Sequence, residues 1–146
     1  MSGVEVERSA RIAAPPERVF AILADHEAMS EWLPVREVVR RRPGEPDPNG
    51  LGAVRVVRGA GLAVEERITA FEPPRRLEYR LLAGAPVRDH RGEVRLEPDG
   101  DGTRVRWRVE LRPLVPGTGW LLRGLLGRML QTALRGLERR ACGPED

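Results

Sequence analysis

The 146-residue chain predicts an α+β fold: a seven-stranded antiparallel sheet covered by one long C-terminal helix, with two short helices after the first strand. Three observations carry this. Seven segments alternate apolar and charged residues with a period of two, as half-buried strands do. The last five of them are linked by Gly- and Pro-rich turns far too short for parallel crossovers. The final 30 residues lose that period and carry leucines at helical spacing.

The elements follow in order. In VEVERSARI, Val4 and Val6 oppose Glu5 and Glu7, a first strand reaching about Ile12. Pro15-Pro16 suit a helix start, and Val19, Phe20 and Leu23 fall at helical spacing. Asp25 or His26 interrupts that helix, and a second short one carries Met29 and Trp32 before Leu33-Pro34. Residues 35–42 read as a strand, and PGEPDPNGLG as a loop. LGAVRVVR and LAVEERITAF are joined at Gly59-Ala60-Gly61. Pro73 and Pro74 cannot donate to a ladder, so EPPRR turns the chain into RLEYRLLA. GAP leads to VRDHRGEVRLEP, and PDGDGT is a hairpin signal before TRVRWRVELRP. Gly117 to Gly119 form a loop before a helix over residues 120–140, about 30 Å long at 1.5 Å per residue. Leu122, Leu125, Leu126, Met129, Ala133 and Leu137 form its stripe, and the sheet's apolar face needs that cover. The expected core is Phe20, Leu23, Ile68, Leu77, Val94, Leu96, Val105, Trp107, Val109, Leu125 and Met129.

Composition narrows the class. A chain of this length makes one domain, residues 1–146, able to bury about 70% of its unfolded surface. Apolar residues are 40% and charged residues 32%, so neither a disordered tail nor a membrane-spanning protein is expected. MSGVEVERSA has no apolar secretory core, and Cys142 is the single cysteine; a reduced, cytoplasmic protein without disulfides or a thiolate metal site is expected. All 25 basic residues are arginine, as codon bias in a GC-rich genome would give. They alternate with apolar residues or sit among acids, and aromatics are only 4%, so nucleic acid is not an expected partner.

This order of elements is that of the helix-grip fold, and local sequences support the likeness. ARIAAPPERVFAILADHEAMSEWLP resembles the opening of the SRPBCC superfamily, the START-like and birch-pollen-allergen-like proteins. VEERITAFEPPRRLEYRL and GEVRLEPDGDGTRVRWRV resemble its bacterial polyketide cyclase/dehydrase group. The resemblance spans nearly the whole chain. It implies a curved sheet gripping the last helix, with a deep cavity between them. Members bind sterols, lipids, polyketides or plant hormones there, as monomers or dimers, and a minority catalyse cyclisation or dehydration. The matching residues are scaffold; no catalytic motif of the family is matched residue by residue.

Strand parity supplies the candidate site. Leu62, Val64, Glu66, Ile68 and Ala70 should face inward, with Leu77, Tyr79 and Leu81 on the next strand. Carried back from Val94 and Leu96, the same parity places His90 on the inner face and Asp89, Arg91 and Glu93 in water. Pairing through the turns sets Glu66 opposite Leu81, diagonal to Tyr79, and Tyr79 opposite or nearly opposite His90. Arg58, following Val54 and Val56, should reach the pocket rim; Trp32 and Met29 lie where the family's entrance is; Trp107 and Met129 complete the expected lining.

Three functions are expected, two from that lining and one from the apolar stripe of the terminal helix. The first is a small-molecule binding protein holding a hydrophobic or aromatic, polyketide- or lipid-like ligand, with no cofactor and no metal. The second is a cyclase or dehydratase using Glu66, Tyr79 and His90 for acid–base work. The third is a protein docking on a membrane or partner through its C-terminal helix. His26 with Asp25 and Glu31 matches no standard metal spacing and reads as helix-surface charge. The Asp-rich hairpin lacks a calcium loop's ligand order, and neither a nucleophile elbow nor a phosphate-binding loop occurs.

Overall fold

The computed structural model describes residues 3–144. Strand β1 (Val4–Ile12) leads to helix α1 (Pro16–Ala24) and a 3-10 helix (His26–Glu31). Six strands follow: β2 (Glu37–Arg42), β3 (Val54–Gly59), β4 (Leu62–Glu72), β5 (Arg76–Ala83), β6 (Val87–Asp99) and β7 (Gly102–Pro113). Helix α2 (Gly119–Cys142) ends the chain. The sheet order is β1-β7-β6-β5-β4-β3-β2, antiparallel throughout, which is the helix-grip architecture. Every hairpin from β2 to β7 pairs neighbours in sequence; only β1 crosses, returning to lie beside β7.

The inner face holds the core: Val4, Val6 and Ile12 of β1, Ile68, Leu77, Val94, Leu96, Val105, Trp107 and Val109, closed by Phe20 and Leu23 of α1. Two predicted members are corrected. Leu125 is 51% exposed and Met129 59% exposed. Leucines surround the first half of α2, so two stripes fit the helical period equally well. Packing chooses the one through Leu130, Ala133, Leu134, Leu137 and Ala141, against β1, β7 and α1. The flank through Leu121, Leu125 and Met129 is left outside.

Gly136 is part of that choice. Glycine inside a helix costs about 1 kcal/mol relative to alanine, yet here the backbone of the 3-10 helix end lies against it. A Cβ would overlap the carbonyl oxygen of Trp32, a backbone atom that cannot swing away. Gly136→Ala is therefore expected to destabilise by about 1–3 kcal/mol despite the better helix propensity. Urea denaturation checks this; a neutral or stabilising result would mean that α2 does not touch the 3-10 helix there.

The outer face corrects another expectation. Glu93 does not stand in water but is buried, as is Glu78 opposite it. Arg76 bridges both, with Nη2 to Glu78 at 2.8 Å and Nε to Glu93 at 2.7 Å. Arg91 Nε donates to Glu78 at 2.8 Å, Arg95 Nε to Glu93 at 2.9 Å, and the Thr69 hydroxyl to Glu78 at 2.7 Å. Planar guanidinium forks suit such shared carboxylates, so this part of the arginine-rich sequence serves a lattice within the sheet. Burial pushes both carboxyls up, but the hydrogen bonds from Thr69 and Arg91 to Glu78, and from Arg95 and Arg76 to Glu93, hold them below the usual range.

Candidate ligand-binding site

The site starts at the β3–β4 turn. Ala60 (φ 51°) and Gly61 (φ 77°) are both left-handed, a two-residue hairpin turn that sets Gly59 opposite Leu62. Counting back places Arg55 opposite Glu66 and Val57 opposite Val64. Cross-strand partners share a face, so the odd residues of β3 look inward. Val54, Val56 and Arg58, predicted inward, instead face out, where Arg58 is exposed 4.0 Å from Glu37. The prediction takes valines for the buried side; the turn buries an arginine there.

Arg55 is the hub. It is 3% exposed, and its Nε donates to Glu66 Oε1 at 2.9 Å. Its Nη1 lies 3.1 Å from His26 Nδ1 and 3.2 Å from the Met29 sulfur, and its guanidinium carbon sits 4.9 Å from the Tyr79 ring centroid. His26 is fully buried, not the surface residue predicted. Its Nε2 is 2.8 Å from the Asn49 carbonyl oxygen, which can only accept. The imidazole is therefore neutral with its proton on Nε2, leaving Nδ1 to accept from Arg55. Burial, then the Arg55 charge, hold its pKa down at about 3.

Across the sheet the row continues. Glu66 faces Leu81, as predicted, and Tyr79 faces Gly92 rather than His90. A bulge between Arg88 and Arg91, with Asp89 at φ 52°, shifts the register of β6 against β7. The inward parity of His90 survives it: the imidazole lies 5.6 Å from the Tyr79 ring, and its Nδ1 accepts from the Leu81 N–H at 3.1 Å. Burial lowers its pKa, partly countered by the Glu66 charge. Glu66, Tyr79 and His90 are neighbours rather than hydrogen-bond partners of one another, because each already has another partner. Trp107 Nε1 donates to the Tyr79 hydroxyl at 3.0 Å, and burial, with Glu66 nearby, pushes that phenol far up. Gly92 makes room for the tyrosine: a Cβ there would overlap its ring. A second bulge, at Thr69, turns Ala70 outward against prediction and brings Phe71 in, edge-on to Phe20 at 5.3 Å.

Trp32 lies 6.4 Å from Trp107, centroid to centroid, and its buried Nε1 has no hydrogen-bond partner among the described residues. Thus Glu66, Tyr79, His90, Trp32, Met29 and Trp107 share one inner surface, while Arg58 and Met129 do not. Sequence reasoning misses Arg55 and His26. Arg55 was within reach of the turn argument; His26 carries no sequence signal, since its burial depends on the loop at Asn49 packing over it. Helix α2 lies chiefly along β1, so beyond the polar cluster Val57, Val64 and Leu81 remain only half-buried, an apolar row on the inner face of the sheet. Two hollows lie away from this row: about 430 Å³ between α1, the 3-10 helix and the end of α2, and about 260 Å³ on the outer face by Arg42 and Arg67.

Both imidazoles make stability depend on pH. Each has a folded pKa below its unfolded value near 6.5, so the unfolded chain binds more protons below that pH. Stability should fall as pH drops from about 6.5, with up to about 1.4 kcal/mol per pH unit from each histidine. A further loss follows below about 4.5, as Glu78 and Glu93 protonate. Denaturant titrations between about pH 8 and 5 check the first window, which His26→Gln should flatten; a level wild-type profile would contradict the neutral, buried imidazoles.

The comparisons agree with this architecture. The family model described as "Polyketide cyclase / dehydrase and lipid transport" matches residues 3–141. An uncharacterized protein of Mycobacterium tuberculosis is 30% identical over 138 residues, covering 88% of this chain and 78% of that one. A START superfamily protein from Mycobacterium smegmatis superposes with a TM-score of 0.83 at 17% identity, over 94% of this chain and 96% of that one. The ZhuI aromatase/cyclase from Streptomyces sp. R1128 gives 0.76 at 20%, over 96% and 94%. No helix among the described residues is long and apolar enough to cross a membrane. By its match over residues 3–141 and its helix-grip fold, the chain belongs to the polyketide cyclase / dehydrase and lipid transport family.

Proposed function

We propose that this protein binds a hydrophobic or aromatic, polyketide- or lipid-like small molecule on the concave face of its sheet, alongside α2. The observation that carries this reading is the juxtaposition of a buried polar cluster, Arg55–Glu66 with Tyr79 and His90, and the half-buried apolar row Val57, Val64 and Leu81. An apolar surface ending in a few fixed polar groups is how ligand sites combine affinity with orientation. The row supplies the burial, and the His90 ring, with its Nδ1 already satisfied by the Leu81 N–H, keeps an Nε2 proton to donate.

Acid–base catalysis is the second reading, and the fold's likeness to an aromatase/cyclase favours keeping it. Within the cluster, His90 supports it best. Glu66 is engaged by Arg55, and the Tyr79 phenol is held protonated, whereas His90 is a neutral imidazole beside the apolar row.

Native mass spectrometry of protein purified from its host tests the binding reading, with an apolar mass retained at one per chain as the expected result. His90→Phe should keep the fold yet weaken a polar ligand by about 1 kcal/mol or more. Protein that carries no such mass, and whose bound anilinonaphthalene dye no lipid or aromatic polyketide displaces, would overturn it. Turnover of a poly-β-ketone substrate, abolished by His90→Phe with binding intact, would favour the enzyme.

A further inference from the structure

The first half of α2 has an exposed apolar surface that neither the core nor the apolar row explains. Of the ten exposed large hydrophobic residues of the described chain, four lie here, Trp120, Leu121, Leu125 and Met129, and two more, Leu114 and Val115, in the loop just before. Trp120 is 74% exposed, the most of any of them. At about 100° per residue, Trp120 and Leu125 stand about 140° apart around the helix. The surface is thus broader than a flank overhanging the row.

Its charge is one-sided. No acidic residue occurs between Glu110 and Glu138, in a chain that carries 22. Arg112, Arg123, Arg128 and Arg135 lie in that interval, all exposed. Arg112 has a distant carboxylate, Asp89 at 3.7 Å. The first turn of α2 also lacks an acid, so the positive end of the helix dipole adds to the same sign.

We propose that this surface, from Leu114 to Met129, docks the protein on an anionic lipid bilayer. Leu121 and Leu125 would enter the acyl boundary, Trp120 would sit at headgroup level, and Arg123 and Arg128 would reach lipid phosphates over their own apolar stems. Charge decides against a second copy of this chain as the occupant: face-to-face pairing would set these arginines against each other with no acid between them. The proposal does not depend on what the row binds.

Flotation with vesicles of phosphatidylcholine alone, and with phosphatidylglycerol added, tests it. The protein should float with the anionic vesicles, stay behind with the neutral ones, and detach as salt rises. Trp32 and Trp107 are buried, so a blue shift of emission on binding reports Trp120. Arg123→Glu/Arg128→Glu and Trp120→Ser/Leu125→Ser should each weaken partitioning on the order of tenfold or more, with thermal stability unchanged. Equal or no flotation with the two vesicle types would overturn the proposal. So would a Trp120-dependent dimer without flotation, which assigns the surface to a second copy. A blue shift without flotation means lipid extraction rather than docking, and overturns it as well.

Discussion

Arg55→Met is expected to destabilise the protein by about 3–5 kcal/mol, the cost of leaving a buried carboxylate without its partner. Glu66 has only 12% of its side chain exposed and no other cation within hydrogen-bonding distance among the described residues, so it cannot turn to water for compensation. His26 Nδ1 and the Met29 sulfur lose their donor in the same substitution. The companion experiment separates charge from packing. Adding Glu66→Leu removes the orphaned carboxylate, and the double variant should recover much of the loss, because an apolar pair of similar volume often equals a buried ion pair. Urea denaturation of the two single variants and the double variant gives the coupling. If Arg55→Met costs under about 1 kcal/mol, well short of a broken buried pair, the guanidinium is not held in the core and the polar cluster is not a fixed feature of the site.

Trp107→Ala should cost a similar amount, about 3–5 kcal/mol, for a different reason. The indole fills the inner face between Trp32 and Tyr79, and its Nε1 is the donor to the buried Tyr79 hydroxyl. Truncation leaves both a cavity and an unpaired phenol. Trp107→Phe keeps most of the volume but not the donor, so it should fall between wild type and the alanine variant. A loss under about 1 kcal/mol for the alanine variant would place the side chain at the surface. Because Trp107 also borders the Tyr79–His90 contact, its loss should loosen the site before the chain unfolds, visible as a shift of the His90 ring resonances.

The site was legible wherever side-chain parity ran unbroken into a turn. The histidine is the clearest case: parity from Val94 and Leu96 puts it on the inner face, and it lies there against Tyr79. Its exact partner was not legible: a two-residue turn at Gly84-Ala85 would set Tyr79 opposite His90, whereas β5 and β6 pair two residues further along, with Tyr79 opposite Gly92. Arg55 shows the opposite failure. Hydrophobicity names the valines of β3 as the inner face, but the two-residue turn fixes pairing by geometry and overrules composition. Outward valines are tolerable there because arginine side chains from neighbouring strands flank them, as Arg41, Arg42 and Arg67 flank Val54.

By itself, the sequence determined the seven strands, their antiparallel order, the two short helical segments, the long last helix and most of the core, since period-two alternation and turn chemistry are local properties of the chain. Tertiary structure alone decided three things. It chose which leucine stripe of α2 is buried, because a helix apolar on several sides has no preferred face until β1, α1 and the Trp32 carbonyl meet it. It buried His26, because only the packing of the Asn49 loop removes that imidazole from water. It made Glu78 and Glu93 interior residues of the outer face, because a carboxylate stays out of water only where several guanidinium groups converge on it, and convergence is a property of the assembled sheet.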